Sequence, residues 1–250
     1  MKALITGAGS GIGKSIALRL SSDGYDIIAV GRDEKKLREL KNLIKTELTT
    51  ISLDLKDKEN CYKLHKEVAG EDISILVNNA GFGVFGPFDE TDLEGELELI
   101  DVNITAVHIL TKLFLKDFMR RNSGYILNVS SSAGFFMGPL FSSYYASKSY
   151  VLRLSQAVRE ELRRKKSKVY VGAFCPGPIT TEFNKNAGIK VKTGGLSAEY
   201  AADYAVRKMY AHKGVIVPGF VMKCMRVFSK IVPDPILAPV VYKMQQKKQG

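Results

Sequence analysis

The sequence contains few of the residues that build metal centres or disulfide frameworks. Only three of its 250 residues are cysteine and three are histidine. The cysteines are odd in number and scattered, and the histidines fall on separate predicted helices, so we expect no metal site and no secreted disulfide scaffold. No apolar run reaches the ~20 residues of a membrane span, and no stretch is typical of a targeting segment. These absences favour a globular protein in the reducing cytoplasm.

Acidic residues are also scarce relative to basic ones, with 26 Asp and Glu against 37 Lys and Arg, for a net charge of +11. A charge of this sign and size raises the question of nucleic-acid binding. The excess is local, however, because residues 201–250 contain nine basic and two acidic residues. The sequence has none of the aromatic and basic motifs of nucleic-acid-binding modules. We therefore expect no nucleic-acid partner and treat the basic C-terminal fifth as a separate feature.

Short apolar runs alternate with longer amphipathic stretches along the whole chain. The runs predict strands at 3–6, 25–30, 49–53, 73–77, 124–129, 168–174 and 214–217. The stretches predict helices at 11–20, 34–45, 59–68, 97–118, 143–164 and 198–210. Strands that are apolar throughout are buried on both faces, and their alternation with helices is typical of a parallel sheet between helical layers. We predict an α/β fold, a single doubly wound domain over residues 1–250.

A glycine-rich loop follows the first predicted strand and precedes the first predicted helix. Residues 6–13 read Thr-Gly-Ala-Gly-Ser-Gly-Ile-Gly. Glycines permit a tight turn and let main-chain amides approach a pyrophosphate, which then lies at the positive end of the helix. Between a strand and a helix of an α/β chain, this pattern predicts a dinucleotide site.

The end of the second predicted strand bears on which dinucleotide is bound. A carboxylate at this point would accept a hydrogen bond from the 2′-hydroxyl of NAD, but the chain has Gly31 and then Arg32. A guanidinium matches a phosphate and offers no acceptor, so Arg32 favours the 2′-phosphate of NADP(H). Asp33 leaves NAD(H) open as the less favoured alternative, although we expect it to cap the helix that starts at Glu34.

The long predicted helix at 143–164 begins with a tyrosine and a lysine on one face. Tyr144 and Lys148 are four residues apart. A nearby ammonium favours the phenolate and makes a tyrosine a suitable proton donor and acceptor. Tyr145, three residues from Lys148, competes on spacing alone.

Taken together, these motifs resemble the classical short-chain dehydrogenase/reductase family over residues 1 to about 217. The resemblance rests on the glycine loop, Asn78-Asn79-Ala80-Gly81, Asn103, Ser130-Ser131-Ser132, Tyr144-x-x-x-Lys148 and Pro176-Gly177-Pro178-Ile179-x-Thr181, all in the family's order. The family's spacing selects Ser131 among the three serines and Tyr144 over Tyr145. It also implies a Rossmann fold of about seven strands with helices on both faces.

The resemblance implies a role for each motif in reducing a carbonyl compound with NADPH. Tyr144 would protonate the carbonyl oxygen, and Ser131 would donate a hydrogen bond to it. Lys148 would lower the phenol pKa and hold the nicotinamide ribose, and Asn103 would fix a water. The implied cofactor-binding set is Thr6, Gly7, Gly9, Ser10, Gly11, Ile12, Gly13, Arg32, Asp54, Leu55, Asn79, Ala80, Gly81, Tyr144, Lys148, Pro176, Gly177, Ile179 and Thr181. The family also implies a homodimer or homotetramer.

Aromatic residues around the catalytic motifs indicate a hydrophobic ketone or aldehyde as the substrate. The candidate pocket walls are Phe82, Phe85, Phe135, Phe136, Met137, Phe141, Tyr145 and the stretch 182–197. The same side chains are also compatible with ordinary core packing. In the family that last stretch is a mobile lid, and Gly188, Gly194 and Gly195 suit hinges. A binding protein that holds NADPH without turnover is the alternative, which the intact catalytic set disfavours.

Residues 218–250, the C-terminal extension, combine apolar and basic residues in an amphipathic pattern. Val221, Met222, Met225, Val227 and Phe228 alternate with cations between residues 220 and 231. This pattern fits a helix whose apolar face covers the substrate pocket or a subunit interface, which is the interpretation we favour. It also fits a helix that lies on an anionic membrane surface, so peripheral membrane contact stays open.

Overall fold

Seven parallel strands form one sheet in the order β3-β2-β1-β4-β5-β6-β7. The structure, a computed structural model, describes residues 1–180, 183, 187 and 195–247. The strands are β1 Lys2–Thr6, β2 Asp26–Gly31, β3 Leu48–Ser52, β4 Ile73–Asn78, β5 Tyr125–Val129, β6 Tyr170–Phe174 and β7 Val215–Ile216. Every predicted strand is therefore confirmed, and so is the Rossmann-type sheet.

The helices pack on both faces of this sheet, as predicted. Among the described residues the helices are α1 Gly11–Ser22, α2 Glu34–Glu39, α3 Lys58–Glu67, α4 Leu93–Ile100, α5 Val107–Arg121, α6 Ser142–Arg164, α7 Ala198–Tyr210, α8 Phe220–Ile231 and α9 Asp234–Gln246, of which α8 and α9 lie over the cleft. The predicted helix at 34–45 is shorter, because a 3₁₀ turn at Leu40–Asn42 follows α2. The predicted helix at 97–118 begins earlier, and a π-helical stretch, Asp101–Ala106, separates α4 from α5.

Alternate side chains of each strand enter different cores. On β1, Ala3 and Ile5 pack with Leu20 of α1 and the alanines of α7 on one side of the sheet. Leu4 packs on the other side with Phe114 of α5 and its neighbours. A parallel strand buried on both faces must be apolar throughout. The continuous apolar runs of the sequence therefore have their physical explanation in these two layers.

The chain changes direction across the sheet between β1 and β4. From β1 it builds outward through β2 and β3, and it then returns to place β4 on the other side of β1. At such a switch point the loops after the two strands diverge and leave a crevice at their carboxyl ends, where ligands bind in α/β sheets. The glycine loop follows β1, and Asn79-Ala80-Gly81 follows β4.

A buried polar network joins the middle of the sheet to the helices over it. Asn128 of β5 accepts a hydrogen bond from Asn78 Nδ2 of β4 at 2.8 Å. Its own Nδ2 donates to Ser155 Oγ of α6 at 3.0 Å. Thr111 of α5 donates to Asn128 Oδ1 at 3.2 Å. Each of these residues is at most 3% exposed, so the network lies wholly in the core.

We expect Asn128→Ala to destabilise the fold by about 3 kcal/mol, because it leaves the Asn78 amide and the Ser155 hydroxyl buried without this partner. The measurement is urea unfolding followed by circular dichroism. Asn42→Ala, at an exposed position, is the control and should change stability by less than about 0.5 kcal/mol. Equal midpoints for Asn128→Ala and the wild type would contradict the importance of the network.

Candidate active site

A cleft of about 720 Å³ lies at the switch point, between the loops that follow the strands. Its wall contains most of the residues predicted to hold a cofactor. These are Gly7, Gly9, Ser10, Gly11, Ile12, Arg32, Asp54, Leu55, Asn79, Ala80, Gly81, Tyr144, Lys148, Pro176, Gly177 and Ile179. Thr6 and Gly13 lie behind the glycine loop and do not line the cleft. Thr181 lies outside the described residues.

Two glycines of the loop leave no room for a side chain. Gly7 has a φ of +65°, and a Cβ on this residue would lie 2.8 Å from Asn79 Nδ2. A Cβ on Gly13 would lie 2.3 Å from the carbonyl oxygen of Gly7. Helix α1 begins at Gly11 with no side-chain cap on its first turn. Its first amides therefore point to the cleft, in the arrangement that suits the pyrophosphate of a dinucleotide.

Thr6 and Asn79 hold this loop in place. Thr6 Oγ1 accepts hydrogen bonds from the main-chain amides of Asn79 and Ala80, each at 3.0 Å. Asn79 Nδ2 donates to the carbonyl oxygens of Thr6 and Gly7 at 3.0 and 3.1 Å. Both amide hydrogens of Asn79 are thus used within the protein. These two side chains, predicted to bind the cofactor, are placed to shape its cradle.

Charged residues surround one end of the cleft, beyond the glycine loop. Arg32 is 64% exposed, and its guanidinium lies 3.8 Å from a carboxylate oxygen of Asp54. Asp33 caps α2 by accepting a hydrogen bond from the Lys36 amide at 3.0 Å, as predicted. The capping carboxylate is therefore committed to the helix. Lys36 also lines this end of the cleft, and it was missed in the sequence because its proximity to the glycine loop depends on how α2 packs.

Ser131, Tyr144 and Lys148 lie together at the other end of the cleft. Tyr144 and Lys148 are on one face of α6, with Lys148 Nζ 5.7 Å from the centre of the Tyr144 ring. Ser131 follows β5, caps a short 3₁₀ turn at Ser132–Phe135 and hydrogen-bonds to the Tyr144 side chain. The predicted choice of Ser131 among the serines agrees with this contact.

Burial shapes the protonation of this group. Tyr144 is 8% exposed and Lys148 is 4% exposed. Burial raises the pKa of the Tyr144 phenol, and the hydrogen bond with Ser131 offsets part of that rise. Burial lowers the pKa of Lys148 to about 8. In this structure Ser131 is the residue that lowers the Tyr144 pKa, and Lys148 Nζ donates to the carbonyl oxygen of Val129 at 3.1 Å, so a lowering of the phenol pKa by Lys148 stays a prediction.

Asn103 lies behind this group, in the π-helical stretch between α4 and α5, and does not line the cleft. Its Oδ1 accepts from the Phe82 amide at 3.1 Å, and its Nδ2 donates to the Phe82 carbonyl oxygen at 2.9 Å and to Ser147 Oγ at 3.1 Å. This side chain therefore fastens the loop after β4 to α6. A water fixed by Asn103 stays a prediction.

Aromatic side chains form the wall beside Tyr144. Phe141 stacks on the Tyr144 ring, with centroids 4.5 Å apart, and Phe183 lies 5.3 Å from it. Of the predicted pocket walls, Phe82, Phe136, Phe141 and Tyr145 line the cleft, and Phe85, Phe135 and Met137 do not. In the stretch 182–197, only Phe183, Ala187 and residues 195–197 are described. The predicted hinges Gly188 and Gly194 lie outside the described residues.

The C-terminal extension closes this side of the cleft. Its lining residues are Met222, Met225, Val241, Met244 and Gln245. Gln245 is 1% exposed, and its Nε2 donates to the Tyr145 hydroxyl. Its Oε1 has no hydrogen-bond partner. The sequence pattern predicted an apolar face to be covered, but not that Gln245, one hundred residues from Tyr145, would contact it.

No group of three or more His, Cys, Asp or Glu residues within the described ranges could hold a metal ion. The glycine cradle, the exposed first turn of α1 and the cations at Arg32 and Lys36 suit a phosphate-bearing dinucleotide instead.

Comparisons with known proteins agree with a dinucleotide site. A family model described as short chain dehydrogenase matches residues 1–192. Human very-long-chain 3-oxoacyl-CoA reductase is 35% identical over 191 residues, which are 73% of this chain and 61% of that protein. The chain thus spans about three fifths of the length of that relative. Human 17-beta-hydroxysteroid dehydrogenase type 3 is 34% identical over 211 residues, covering 81% of this chain and 67% of that protein.

A solved structure matches nearly the whole chain. The short-chain dehydrogenase from Sphingobium yanoikuyae in complex with NADPH superposes with a TM-score of 0.81, at 28% identity, over 93% of this chain and 96% of that one. With the family model matching residues 1–192 and relatives of the same kind aligning over most of its length, the chain belongs to the short-chain dehydrogenase family.

Proposed function

We propose that this chain is an NADP(H)-dependent oxidoreductase that reduces a hydrophobic ketone or aldehyde to an alcohol. The observation that carries this proposal is a single cleft with a phosphate cradle at one end and the buried Ser131, Tyr144 and Lys148 at the other. A dinucleotide has its phosphates and its nicotinamide at separated positions, so a cleft of this layout suits it. Two groups of relatives named for reductase and dehydrogenase activity support the same reaction class.

A nicotinamide cofactor bound in this cleft would supply hydride to the carbonyl carbon of the substrate. The protein provides the proton for the oxygen. Tyr144 is the donor because its phenol, protonated at neutral pH, lines the cleft together with Ser131 and Lys148. Ser131 is placed to donate a hydrogen bond to the same carbonyl oxygen as negative charge develops on it. Together the added hydride and proton convert the C=O group to CH–OH.

Lys148 and Asn103 support this proton transfer. Lys148 carries its charge beside the Tyr144 ring in a site with little water, where a cation stabilises the phenolate left after proton donation. Asn103 ties the loop at Phe82 to the start of α6, which keeps that loop and the Tyr144 helix at a constant separation. The Tyr144 hydroxyl therefore stays aimed at one point of the cleft.

The preference for NADP(H) over NAD(H) rests on the charged end of the cleft. Arg32 and Lys36 both line it, and Asp33 is engaged as the α2 cap. Two cations favour a 2′-phosphate. Asp33 also lines the cleft and is the carboxylate that leaves NAD(H) open, but its hydrogen bond as the α2 cap disfavours that role.

The substrate is proposed to be large and apolar. Phe141, Tyr145 and Phe183 pack around Tyr144, and the methionines of the C-terminal extension complete the wall. Two relatives are named for very-long-chain 3-oxoacyl and hydroxysteroid substrates, both large apolar groups.

A homodimer or homotetramer is proposed for the assembly. Leu93, Leu97 and Ile100 recur on one face of α4 and are exposed, as is Tyr150 of α6. An apolar face of this kind suits a second copy of the chain. A cytoplasmic location is proposed because Cys61, Cys175 and Cys224 are all free thiols.

Tyr144→Phe is expected to lower kcat for carbonyl reduction by about 10³-fold, since it removes the proton donor and little else. NADPH consumption with a panel of aromatic and aliphatic ketones and aldehydes is the measurement. Tyr145→Phe is the matched comparison and should keep kcat within about tenfold, because it removes only the contact with Gln245. Full turnover by Tyr144→Phe would refute the assignment. Tight NADPH binding without turnover on any carbonyl by the wild type would favour a cofactor-binding regulatory protein.

Carbonyl reduction is expected to fall by about tenfold per pH unit above pH 8. Lys148 is charged below its pKa of about 8 and neutral above it, whereas the Tyr144 phenol stays protonated through this range. The measurement is kcat/KM from pH 6 to pH 10. In Lys148→Arg the side chain stays charged throughout, so the decline should disappear even at a lower maximal rate. The same decline in that variant would assign it to another group.

Arg32→Ala is expected to lower kcat/KM for NADPH by about 10- to 100-fold and to leave kcat/KM for NADH within about threefold, since it removes a charged hydrogen bond to the 2′-phosphate alone. Arg38→Ala is the control, because Arg38 is also on α2 and pairs with Glu34 outside the cleft. Equal losses with the two cofactors would contradict the preference for NADP(H).

A further inference from the structure

Helices α8 and α9 of the C-terminal extension have two apolar faces. Their inner face lines the cleft through Met222, Met225 and Val241. Their outer apolar surface consists of Phe220, Val221, Val227, Phe228, Ile231, Ile236 and Val240, each at least half exposed. Packing against the rest of the chain explains the first face and leaves the second unexplained.

The outer apolar surface is continuous along α8. Phe220, Val227 and Ile231 recur with helical spacing on one side and are 80%, 58% and 74% exposed. Phe228 and Val221 extend the same side. None of the residues of α8 is buried. Contiguous exposed apolar patches of this kind mark a surface that contacts a partner or a membrane.

Cations flank this surface, and carboxylates are nearly absent from it. Lys223 and Lys230 lie beside the apolar stripe of α8, and Lys243 and Lys247 lie on and just after α9; all four are exposed. Between residues 219 and 247 the sequence has one carboxylate, Asp234. Among the described residues, no cation of this segment forms a salt bridge with a carboxylate. The surface therefore presents apolar side chains framed by positive charge.

This charge distinguishes between two occupants of the surface. A two-fold contact between copies would bring two patches of the same positive charge together, which is unfavourable. An anionic lipid surface matches both features, because the apolar side chains enter the acyl boundary and the lysines attract the headgroups. No helix within the described ranges is long and apolar enough to cross a bilayer, so contact of this kind is peripheral.

We propose that α8 and α9 dock on an anionic membrane surface through this outer apolar surface. Met244 is 54% exposed and also lines the cleft, so the cleft reaches the protein surface beside the docking face. Docking then places the substrate entrance at the lipid boundary, where large apolar carbonyl compounds concentrate. The docking does not depend on the proposed reductase activity. Only the entry of substrate from the lipid boundary rests on that proposed function.

The test is co-sedimentation of the full chain with vesicles, which requires no turnover and no cofactor. We expect binding to vesicles of phosphatidylcholine with 30% phosphatidylglycerol, and at least tenfold weaker binding to phosphatidylcholine alone. Lys223→Glu with Lys230→Glu should weaken binding to the anionic vesicles by more than about tenfold, since each lysine near such a surface contributes about 1 kcal/mol.

A triple variant, Phe220→Ser, Val227→Ser and Ile231→Ser, should lose vesicle binding by at least tenfold. Its control is Leu43→Ser with Tyr62→Ser, which removes apolar side chains 46% and 47% exposed elsewhere on the protein and should bind as the wild type does. Circular dichroism checks that both fold. Failure of the wild type to bind anionic vesicles, or wild-type binding by the triple variant, overturns the proposal. Light scattering that shows the triple variant to be monomeric and the wild type dimeric, with no vesicle binding, assigns the surface to a contact between copies and also overturns it.

Discussion

The hydrogen bonds between the ends of β1 and β4 are the constraint on which the site depends. Four hydrogen bonds cross the switch point, because Thr6 Oγ1 accepts from the amides of Asn79 and Ala80, and Asn79 Nδ2 donates to the carbonyl oxygens of Thr6 and Gly7. These hydrogen bonds hold the glycine loop at the positive end of α1 and fix the position of the loop at Ala80 relative to it. The glycine loop and the loop after β4, which both line the cleft, are therefore held together by the same hydrogen bonds.

The catalytic end uses burial in two opposite ways. Removing water from the Tyr144 phenol favours its neutral, proton-bearing form, and removing water from the Lys148 ammonium disfavours its charged form. The Tyr144 phenol therefore keeps its proton at neutral pH, and Lys148, with a pKa of about 8, keeps most of its positive charge. Water is kept out partly by Phe141, which stacks on Tyr144, and partly by the C-terminal extension. The extension thus belongs to the chemistry of the site as well as to its outer surface.

Two groups of basic residues lie in different surroundings. Arg32 and Lys36 line the cleft. The lysines of α8 and α9 are exposed and lie near exposed apolar residues. The net charge of the sequence does not distinguish these two groups of cations. The position of the first group depends on the loop after β2, and that of the second depends on which side of an amphipathic helix packs against the protein.

The sequence by itself determined the strands, the parallel sheet, the glycine loop and the helix that carries Tyr144 and Lys148. The signals for them are local, namely the periodicity of apolar residues, the spacing of the glycines and the four-residue interval between Tyr144 and Lys148. It also determined that Asp33 would cap α2. Four contacts were decided by the tertiary structure alone. Thr6 and Asn79 form hydrogen bonds that hold the glycine loop, and Asn103 forms hydrogen bonds with the main chain of Phe82. Lys36 lines the cleft together with Arg32, and Gln245 donates a hydrogen bond to Tyr145. The tertiary structure likewise decided the burial that raises the pKa of Tyr144. These properties depend on burial and on contacts between residues far apart in the chain, and neither is encoded in the spacing of any one motif.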